Sequence, residues 1–371
     1  MPHSIVHLIA EWSPFNAAAH LREVVCSQVQ AGESVAVIIL SANPNAQAEI
    51  DDLGATCIFV HRRWHLDPFA LRECAIQLRS MHPRVVFFWG VRATEFASLA
   101  RWTLPKAKLI ATLPAESSSA GSWASQWLGN AAVLDHIVAD YAKKPSEKTT
   151  VITPGVAAPT NSDLSHEELL AELKFPAEAQ LITIAGPLTR SELIDEAIWN
   201  FELVRTLHPQ ACLVVLGDGP DRYRLERYAR LVSDPTAIRF FKGVGSLFSQ
   251  KTPDPFGLLK HSTLYWQPGR STAIPTALLC AQALGIPVVA NDTAPHAQVV
   301  THGENGFLVP TKKRSFWTRH TVELLENLEL HKQCSADARN VVEEHFSLAN
   351  MLQAYDQLAK TTSPQHIAMN H

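Results

Sequence analysis

The chain has 371 residues, enough for two ordinary domains, and 46% of them are hydrophobic while 18% are charged. These values predict a globular protein with large cores and exclude an intrinsically disordered chain. The formal net charge of -4 provides no general attraction to nucleic acid or anionic lipid, so we expect no polynucleotide partner.

Cysteine usage and the lack of targeting signals favour a cytoplasmic protein. No cysteine belongs to a CxxC pair, and most lie in apolar segments, where a free cysteine behaves as a small hydrophobic side chain. The cysteines are Cys26, Cys57, Cys74, Cys212, Cys280 and Cys334. We expect no signal peptide. The sequence contains no run of about 18 apolar residues, so we also expect no membrane span. The tight pair His61 and His65 lacks a third ligand, so we expect no metal site.

The first part of the chain alternates short β-branched runs with segments of helical periodicity. The predicted strands begin at Ser4, Ser34, Cys57, Arg84 and Lys108. One predicted helix covers residues 17–31 and is closed by Gly32. Another covers 67–81 and opens with Asp67 and Pro68 as N-cap and first-turn proline. This alternation predicts a parallel sheet covered on both faces.

A polar stretch at residues 157–165 is the predicted linker, and a second series of strands and helices follows it. Its strands are predicted at 181–185, 212–216, 238–241, 263–266 and 288–290, and its helices at 195–207, 222–232 and 276–284. The fold class is therefore α/β, with two Rossmann-like domains at residues 1–160 and 161–345 that we expect to face each other across a cleft. Ligands of such sheets bind beyond the carboxyl ends of the strands.

Six short motifs follow one another in the order found in one enzyme family. A GDGP turn at 217–220 joins a predicted strand to a helix, although such a turn also occurs wherever glycines relieve crowding. The other motifs are VITPGV at 151–156, IAGPL at 184–188, GIPVVA at 285–290, HGENGFLVP at 302–310, and FSL at 346–348 with Tyr355. In this order they resemble the second domain and last helix of the retaining GT-B glycosyltransferases of family 4, also called group 1. The first domain is similar in pattern, through GESVAV at 32–37 and HPRVV at 82–86.

The resemblance implies a GT-B enzyme that transfers a sugar from a nucleotide-sugar donor with retention of the anomeric configuration, without cofactor or metal. It implies that residues 161–345 bind the donor and that residues 1–160 adapt to the acceptor. It also implies that a helix at 346–362 crosses back to the N-terminal domain. The acceptor is open and is a glycan, a lipid or a small molecule. Peripheral contact with a membrane is open as well.

The chain departs from the resembled family at the positions that hold the donor. The family's diphosphate-binding Arg and Lys correspond here to Pro187 and Glu192, and Glu192 would repel a diphosphate. Its two glutamates near the donor sugar and ribose correspond to Thr272 and Cys280. Other replacements are Ala294 and Pro295 for a Gly-Gly phosphate turn, Gln298 for an acidic residue, and residues 113–114 where the family has a histidine. We therefore assign no catalytic residue from the sequence.

Arginines and backbone groups can replace the missing side chains. Arg190 lies between Pro187 and Glu192, and Arg270 lies just before Thr272. Residues 271–275 lead into a helix predicted to begin near Pro275, and the N-terminus of that helix would attract an anion. We expect the diphosphate between this helix start and residues 186–190, with the base near residues 241–244 and the ribose near Cys280. The expected nucleotide-sugar-binding residues are Gly186, Arg190, Phe241, Val244, Arg270, Thr272, Ala273, Ile274, Pro275 and Cys280.

Simpler interpretations stay open for three of these residues. Arg190 is alternatively a solvated loop residue, and Arg270 a partner in a surface ion pair. Cys280 is alternatively a small apolar side chain on the buried face of its helix, because no nearby base indicates an activated thiolate.

Four functions are compared on this basis. The first is a sugar transferase, and the second is a catalytically inactive GT-B relative that binds a nucleotide sugar or a partner protein, which the missing carboxylates favour. A sugar-nucleotide epimerase shares the architecture, but the C-terminal motifs resemble transferases more closely. A dehydrogenase is disfavoured because residues 12–16 follow the first strand without a GxGxxG sequence.

Overall fold

The computed structural model describes residues 3–13, 15, 17–41, 44–63, 67–114, 133–141, 148–157, 165–242 and 257–361. The chain forms two compact units, one made of Met1–Gly155 and Leu348–His371 and the other of Val156–Ser347. The sequence analysis placed these divisions near residues 160 and 345. No helix in the described ranges is long and apolar enough to cross a membrane.

The first unit is built on a parallel sheet. Its strands are β1 (Ile5–Ile9), β2 (Val35–Ile39), β3 (Thr56–Phe59), β4 (Val85–Trp89), β5 (Lys108–Leu113), β6 (His136–Ala139) and β7 (Thr149–Val151). The helices between them are α1 (Ala18–Gln30), α2 (Pro44–Asp52), α3 (Pro68–Met81), α4 (Val91–Thr94) and α5 (Ala97–Thr103). The strands pair in the order β3-β2-β1-β4-β5-β6-β7. Strands β1, β2 and β4 are buried along their whole length, which explains why they read as continuous apolar runs.

The second unit repeats this architecture. Its strands are β8 (Gln180–Ala185), β9 (Ala211–Leu216), β10 (Ile238–Phe241), β11 (Leu264–Gln267), β12 (Val288–Asn291) and β13 (Gly306–Val309). Its helices are α6 (His166–Leu173), α7 (Ile194–Leu207), α8 (Arg222–Val232), α9 (Thr276–Ala283), α10 (Ser315–Glu326) and α11 (Leu328–His345). The strand order is β10-β9-β8-β11-β12-β13. The order reverses between β8 and β11, and parallel sheets of this type bind ligands at such a reversal, beyond the carboxyl ends of the strands.

The last helix, α12 (Leu348–Lys360), belongs to the first unit. Met351, Tyr355 and Leu358 are buried in the same core cluster as strand β1. The C-terminal end of the helix is held by Lys108 of β5, whose ammonium group donates to the carbonyl of Leu358 at 2.6 Å and of Thr361 at 2.9 Å. A cation at this position satisfies terminal carbonyls and complements the helix dipole.

We expect Lys108→Met to destabilise the first unit by about 1–3 kcal/mol, because the carbonyls at the end of α12 lose their donor. Differential scanning calorimetry should show a lower Tm. The matched control is Lys106→Met, which changes an exposed side chain two residues earlier and should alter the free energy of unfolding by less than about 0.5 kcal/mol. Equal effects of the two substitutions would contradict the capping role of Lys108.

Candidate functional site

The loops at the strand-order reversal of the second sheet are tied together by hydrogen bonds. One loop, residues 186–193, follows β8, and the other, residues 268–275, follows β11. The Arg270 N–H donates to the carbonyl of Ser191 at 3.0 Å. From the end of β12, the buried side chain of Asn291 donates to the carbonyl of Pro268. The carboxyl ends of β8, β11 and β12 therefore share one hydrogen-bonded frame.

The GDGP turn after β9 supports the first of these loops. The Leu188 N–H donates to the carbonyl of Asp218 at 2.9 Å. Gly217 has a φ of 146°, and an added Cβ would overlap the carbonyl of Gly186. A Cβ on Gly219 would lie 2.5 Å from the carbonyl oxygen of Leu188. Both glycines are required for close backbone packing, so the turn shapes the loop after β8.

Helix α9 begins where the sequence analysis placed it, directly after Pro275. Its N-cap residue, Pro275, makes no side-chain cap hydrogen bond, and the first-turn N–H groups of any α-helix have no acceptor within the helix. They give the N-terminus a partial positive charge that favours anions. In the segment leading to it, Thr272 is exposed, Ala273 is half-buried and Ile274 is buried. The loop after β11 thus ends at a helix N-terminus.

The two arginines expected at the diphosphate are placed differently. The Arg190 side chain is 76% exposed, and its Nε lies 3.4 Å from a carboxylate oxygen of Asp221. Arg224 also contacts Asp221, at 3.1 Å. Arg270 is exposed and forms no ion pair with any residue that the structure describes. Because Arg270 gives up no ion pair when an anion binds, it is the better placed of the two cations.

The end of β10, where the base was expected, is held by the GDGP turn. The carbonyl of Phe241 accepts from the Gly217 N–H at 2.7 Å, and the Phe241 side chain is half-buried. Arg222 donates to the carbonyls of Gly217 at 3.0 Å and Phe240 at 3.1 Å, so it stabilises the turn. Val244 lies outside the described residues.

Glu192 is a buried carboxylic acid in the loop after β8. It is 8% exposed and packs against the backbone of Gly186 and Gly269. No residue in the described part of the chain donates a hydrogen bond to its carboxyl group. Burial raises the pKa of Glu192 to about 7. The expectation that Glu192 repels a diphosphate therefore applies above neutral pH, whereas at lower pH the group is neutral.

Sequence reasoning missed several buried polar side chains beneath the two loops. The Tyr265 hydroxyl lies 3.1 Å from the carbonyl of Ala185 and 2.8 Å from Oε1 of Gln267. His296 is fully buried, with Nδ1 2.7 Å from the carbonyl of Asn291. Burial lowers the pKa of His296 to about 4, so the ring is neutral at physiological pH. In the sequence, such a side chain appears only as a polar residue within an apolar run. That pattern does not show which residues surround the side chain in the fold.

Cys280, expected near the ribose, is 4% exposed on α9. Its thiol lies close enough to Tyr265 to contribute to the raised pKa of the tyrosine hydroxyl. The thiol is thus part of the interior of the second unit. Among the described residues, no cluster of three or more His, Cys, Asp or Glu side chains could hold a metal ion.

The HGENGFLVP motif places Asn305, which is fully buried, directly before β13, at the amino ends of the strands and away from the candidate site. Its Nδ2 donates to Oε1 of Gln282 at 3.0 Å and to the carbonyl of Val299 at 2.8 Å. Its Oδ1 accepts from the Thr301 N–H at 2.7 Å. These bonds hold the segment between β12 and β13 against α9, so this asparagine has a structural role.

We expect Glu192→Gln to stabilise the second unit increasingly as the pH rises. In the wild type, the raised pKa of Glu192 contributes fully to the free energy of unfolding below the usual pKa of 4.5. That contribution is lost as the pH rises from 4.5 to about 7, because the unfolded chain releases the proton first. The loss amounts to at most about 3 kcal/mol. Thermal shift assays between about pH 5 and pH 8 should therefore show a growing difference in Tm. A difference that does not change with pH would contradict the unpaired, buried carboxyl.

Comparison with known proteins gives a family match within the second unit. Residues 165–341 match the family model described as glycosyl transferases group 1. An uncharacterized glycosyltransferase of Haemophilus influenzae is 24% identical over 169 residues, which cover 45% of this chain and 46% of that protein. A D-inositol 3-phosphate glycosyltransferase of Jonesia denitrificans is 24% identical over 231 residues, covering 58% and 53%. The alignments thus span about half the length of these relatives.

Solved structures show the same fold over the whole chain. HepE from Anabaena, in complex with UDP and glucose, has a TM-score of 0.77 at 14% identity and covers 97% of this chain and 100% of its own. WaaG, a glycosyltransferase of lipopolysaccharide biosynthesis, has a TM-score of 0.67 at 14% identity, with coverage of 96% and 100%. The resemblance to the group 1 glycosyltransferases is therefore confirmed, through the family match of the second unit and the GT-B fold of the chain.

Proposed function

We propose that this protein is a glycosyltransferase whose second unit binds a nucleotide-sugar donor and which transfers the sugar, with retention of configuration, to an acceptor hydroxyl. The observation that carries the proposal is the N-terminus of α9 at the strand-order reversal of the sheet, at the end of a loop that also carries the exposed Arg270. The names of these relatives support it, as does the UDP and glucose complex of HepE.

Sugar transfer breaks the bond between the anomeric carbon and the diphosphate, so negative charge grows on the leaving diphosphate. Fixed dipoles and cations aimed at that charge are usually the largest contribution to catalysis. In this chain the N–H groups of α9 supply fixed dipoles, and Arg270 supplies a guanidinium group. Arg190 can supply a second one if it leaves Asp221. Pro187, at the position of the family's arginine, cannot contribute.

We place the diphosphate between residues 186–190 and the start of α9, with the base toward Phe241 at the end of β10. This arrangement uses the two loops that the hydrogen bond from Arg270 to Ser191 holds together. The acceptor is a glycan, a lipid or a small molecule.

A catalytically inactive relative that binds nucleotide sugars is the second candidate. Thr272 and Cys280 occupy the positions of the family's two glutamates, so neither position carries a carboxylate. Cys280 is also buried. Both candidates predict donor binding, and only the transferase predicts turnover. Release of nucleoside diphosphate in the presence of acceptors from the three classes distinguishes them. Binding without any release would favour the inactive relative.

We expect Arg270→Ala to weaken nucleotide-sugar binding about 10- to 100-fold, because a charge-assisted hydrogen bond contributes about 1.5–3 kcal/mol. Isothermal titration calorimetry with a panel including UDP-glucose and GDP-mannose measures the effect. Arg190→Ala should have a smaller effect, since that side chain already pairs with Asp221.

Arg230→Ala is the matched control, because Arg230 is an exposed arginine near the far end of α8. It should leave the Kd unchanged. Arg222 is unsuitable as a control because its substitution would disturb the GDGP turn. If Arg270→Ala and Arg230→Ala had equal effects, the diphosphate would lie elsewhere.

A further inference from the structure

We infer that Glu192 takes up a proton when the donor binds and then donates a hydrogen bond to the diphosphate, so that donor binding by this chain is coupled to protonation. The inference rests on the proposed function. It assigns to a neutral carboxylic acid the position at which the resembled family has a lysine.

The geometry around Glu192 is that of an acid with an open hydrogen-bonding side. The side chain is 8% exposed, and its closest packing partners include the backbones of Gly186 and Gly269, which present no side chain toward it. Gly186 opens the loop after β8, and Gly269 lies in the loop that leads to α9. The carboxyl group therefore sits between the two segments proposed to hold the diphosphate.

No described cation keeps the carboxyl group ionised. On its own loop, the Arg190 guanidinium is directed toward Asp221 at 3.4 Å. From the loop after β11, Arg270 contacts Ser191 through its backbone, and its side chain is exposed. The other titratable groups near this frame, the phenol of Tyr265, the thiol of Cys280 and the neutral ring of His296, carry no positive charge. Burial is the sole cause of the raised pKa of Glu192.

A bound diphosphate makes the neutral form still more favourable. Two negative groups that share one site disfavour ionisation of the weaker acid. Because the pKa of Glu192 is already about 7, protonation at neutral pH requires little free energy. For a carboxyl with an ordinary pKa, the same uptake would reduce affinity by a further factor of about 300. Once neutral, the acid has an O–H donor that fits a phosphate oxygen.

The test is calorimetry of the full chain with the tightest-binding nucleotide sugar of a panel that includes UDP-glucose and GDP-mannose. Nucleotide sugars are used because the terminal phosphate of a free nucleoside diphosphate itself titrates near neutral pH. Titrations in two buffers of different ionisation enthalpy report the number of protons taken up. We expect about 0.5–1 proton per donor near pH 7.5 and almost none near pH 5.5. The Kd should weaken by up to about tenfold per pH unit above 7.

Two variants of Glu192 and one control make the test specific. Glu192→Gln should bind without proton uptake and with a Kd that does not change between about pH 6 and pH 8. Glu192→Lys should bind more tightly than the wild type near pH 8, because a cation then faces the diphosphate. The control Glu196→Gln removes a carboxylate from the next helix turn, one that pairs with Arg314 at 2.9 Å. It should retain the proton uptake of the wild type.

The outcomes separate this inference from the proposed function. Donor binding without proton uptake in the wild type would overturn the inference and leave the proposed function intact. Proton uptake that persists in Glu192→Gln would do the same. If no nucleotide sugar binds at any pH, both fail.

Discussion

The candidate site depends on the reversal of strand order between β8 and β11 in the second sheet. Connections from two neighbouring strands leave in opposite directions at such a reversal, so their loops separate and a crevice forms between them. Here the loops are held in register by the hydrogen bond from Arg270 to Ser191 and by the Asn291 side chain on Pro268. Every group assigned to the donor therefore projects from one rigid edge of one sheet.

Positive charge at this edge comes from the backbone as well as from side chains. The family's Arg and Lys are replaced by Pro187 and Glu192, and one of the two remaining arginines is paired with Asp221. The N-terminus of α9 is unaffected by these changes, because its dipole belongs to the peptide groups. A neutral Glu192 adds a donor without adding a charge. We therefore expect such a site to bind anions in a pH-dependent manner.

The first unit shows how a terminal helix can become part of a core that is distant in sequence. Helix α12 follows the second unit in the chain, yet Met351 and Tyr355 lie in the core cluster of β1. Tyr355 stacks on Trp89 at 5.4 Å between ring centroids. A buried cation, Lys108, closes the end of the helix. Apolar packing and a satisfied helix terminus thus act together to fix α12 in this unit.

The sequence by itself determined the fold class, the central strands and the start of α9. Buried parallel strands read as short apolar runs, so β8, β9 and β12 were predicted within about one residue of their ends. Strands β6, β7 and β13 were missed: each has only three or four residues, and β6 and β7 are also partly exposed. The order of the motifs indicated the GT-B fold because each motif meets a backbone requirement of its own.

Only the tertiary structure decided the properties of the candidate site. The sequence shows Glu192 as a negative charge, whereas burial against Gly269, a residue far away in the chain, raises the pKa of its carboxyl group to about 7. It shows Arg190 and Arg270 as equivalent cations, whereas contact with Asp221 distinguishes them. Desolvation and ion pairing depend on neighbours brought together by the fold. Local periodicity and motif spacing contain no information about those neighbours, and for this reason the charge state of the site could not be predicted from the sequence.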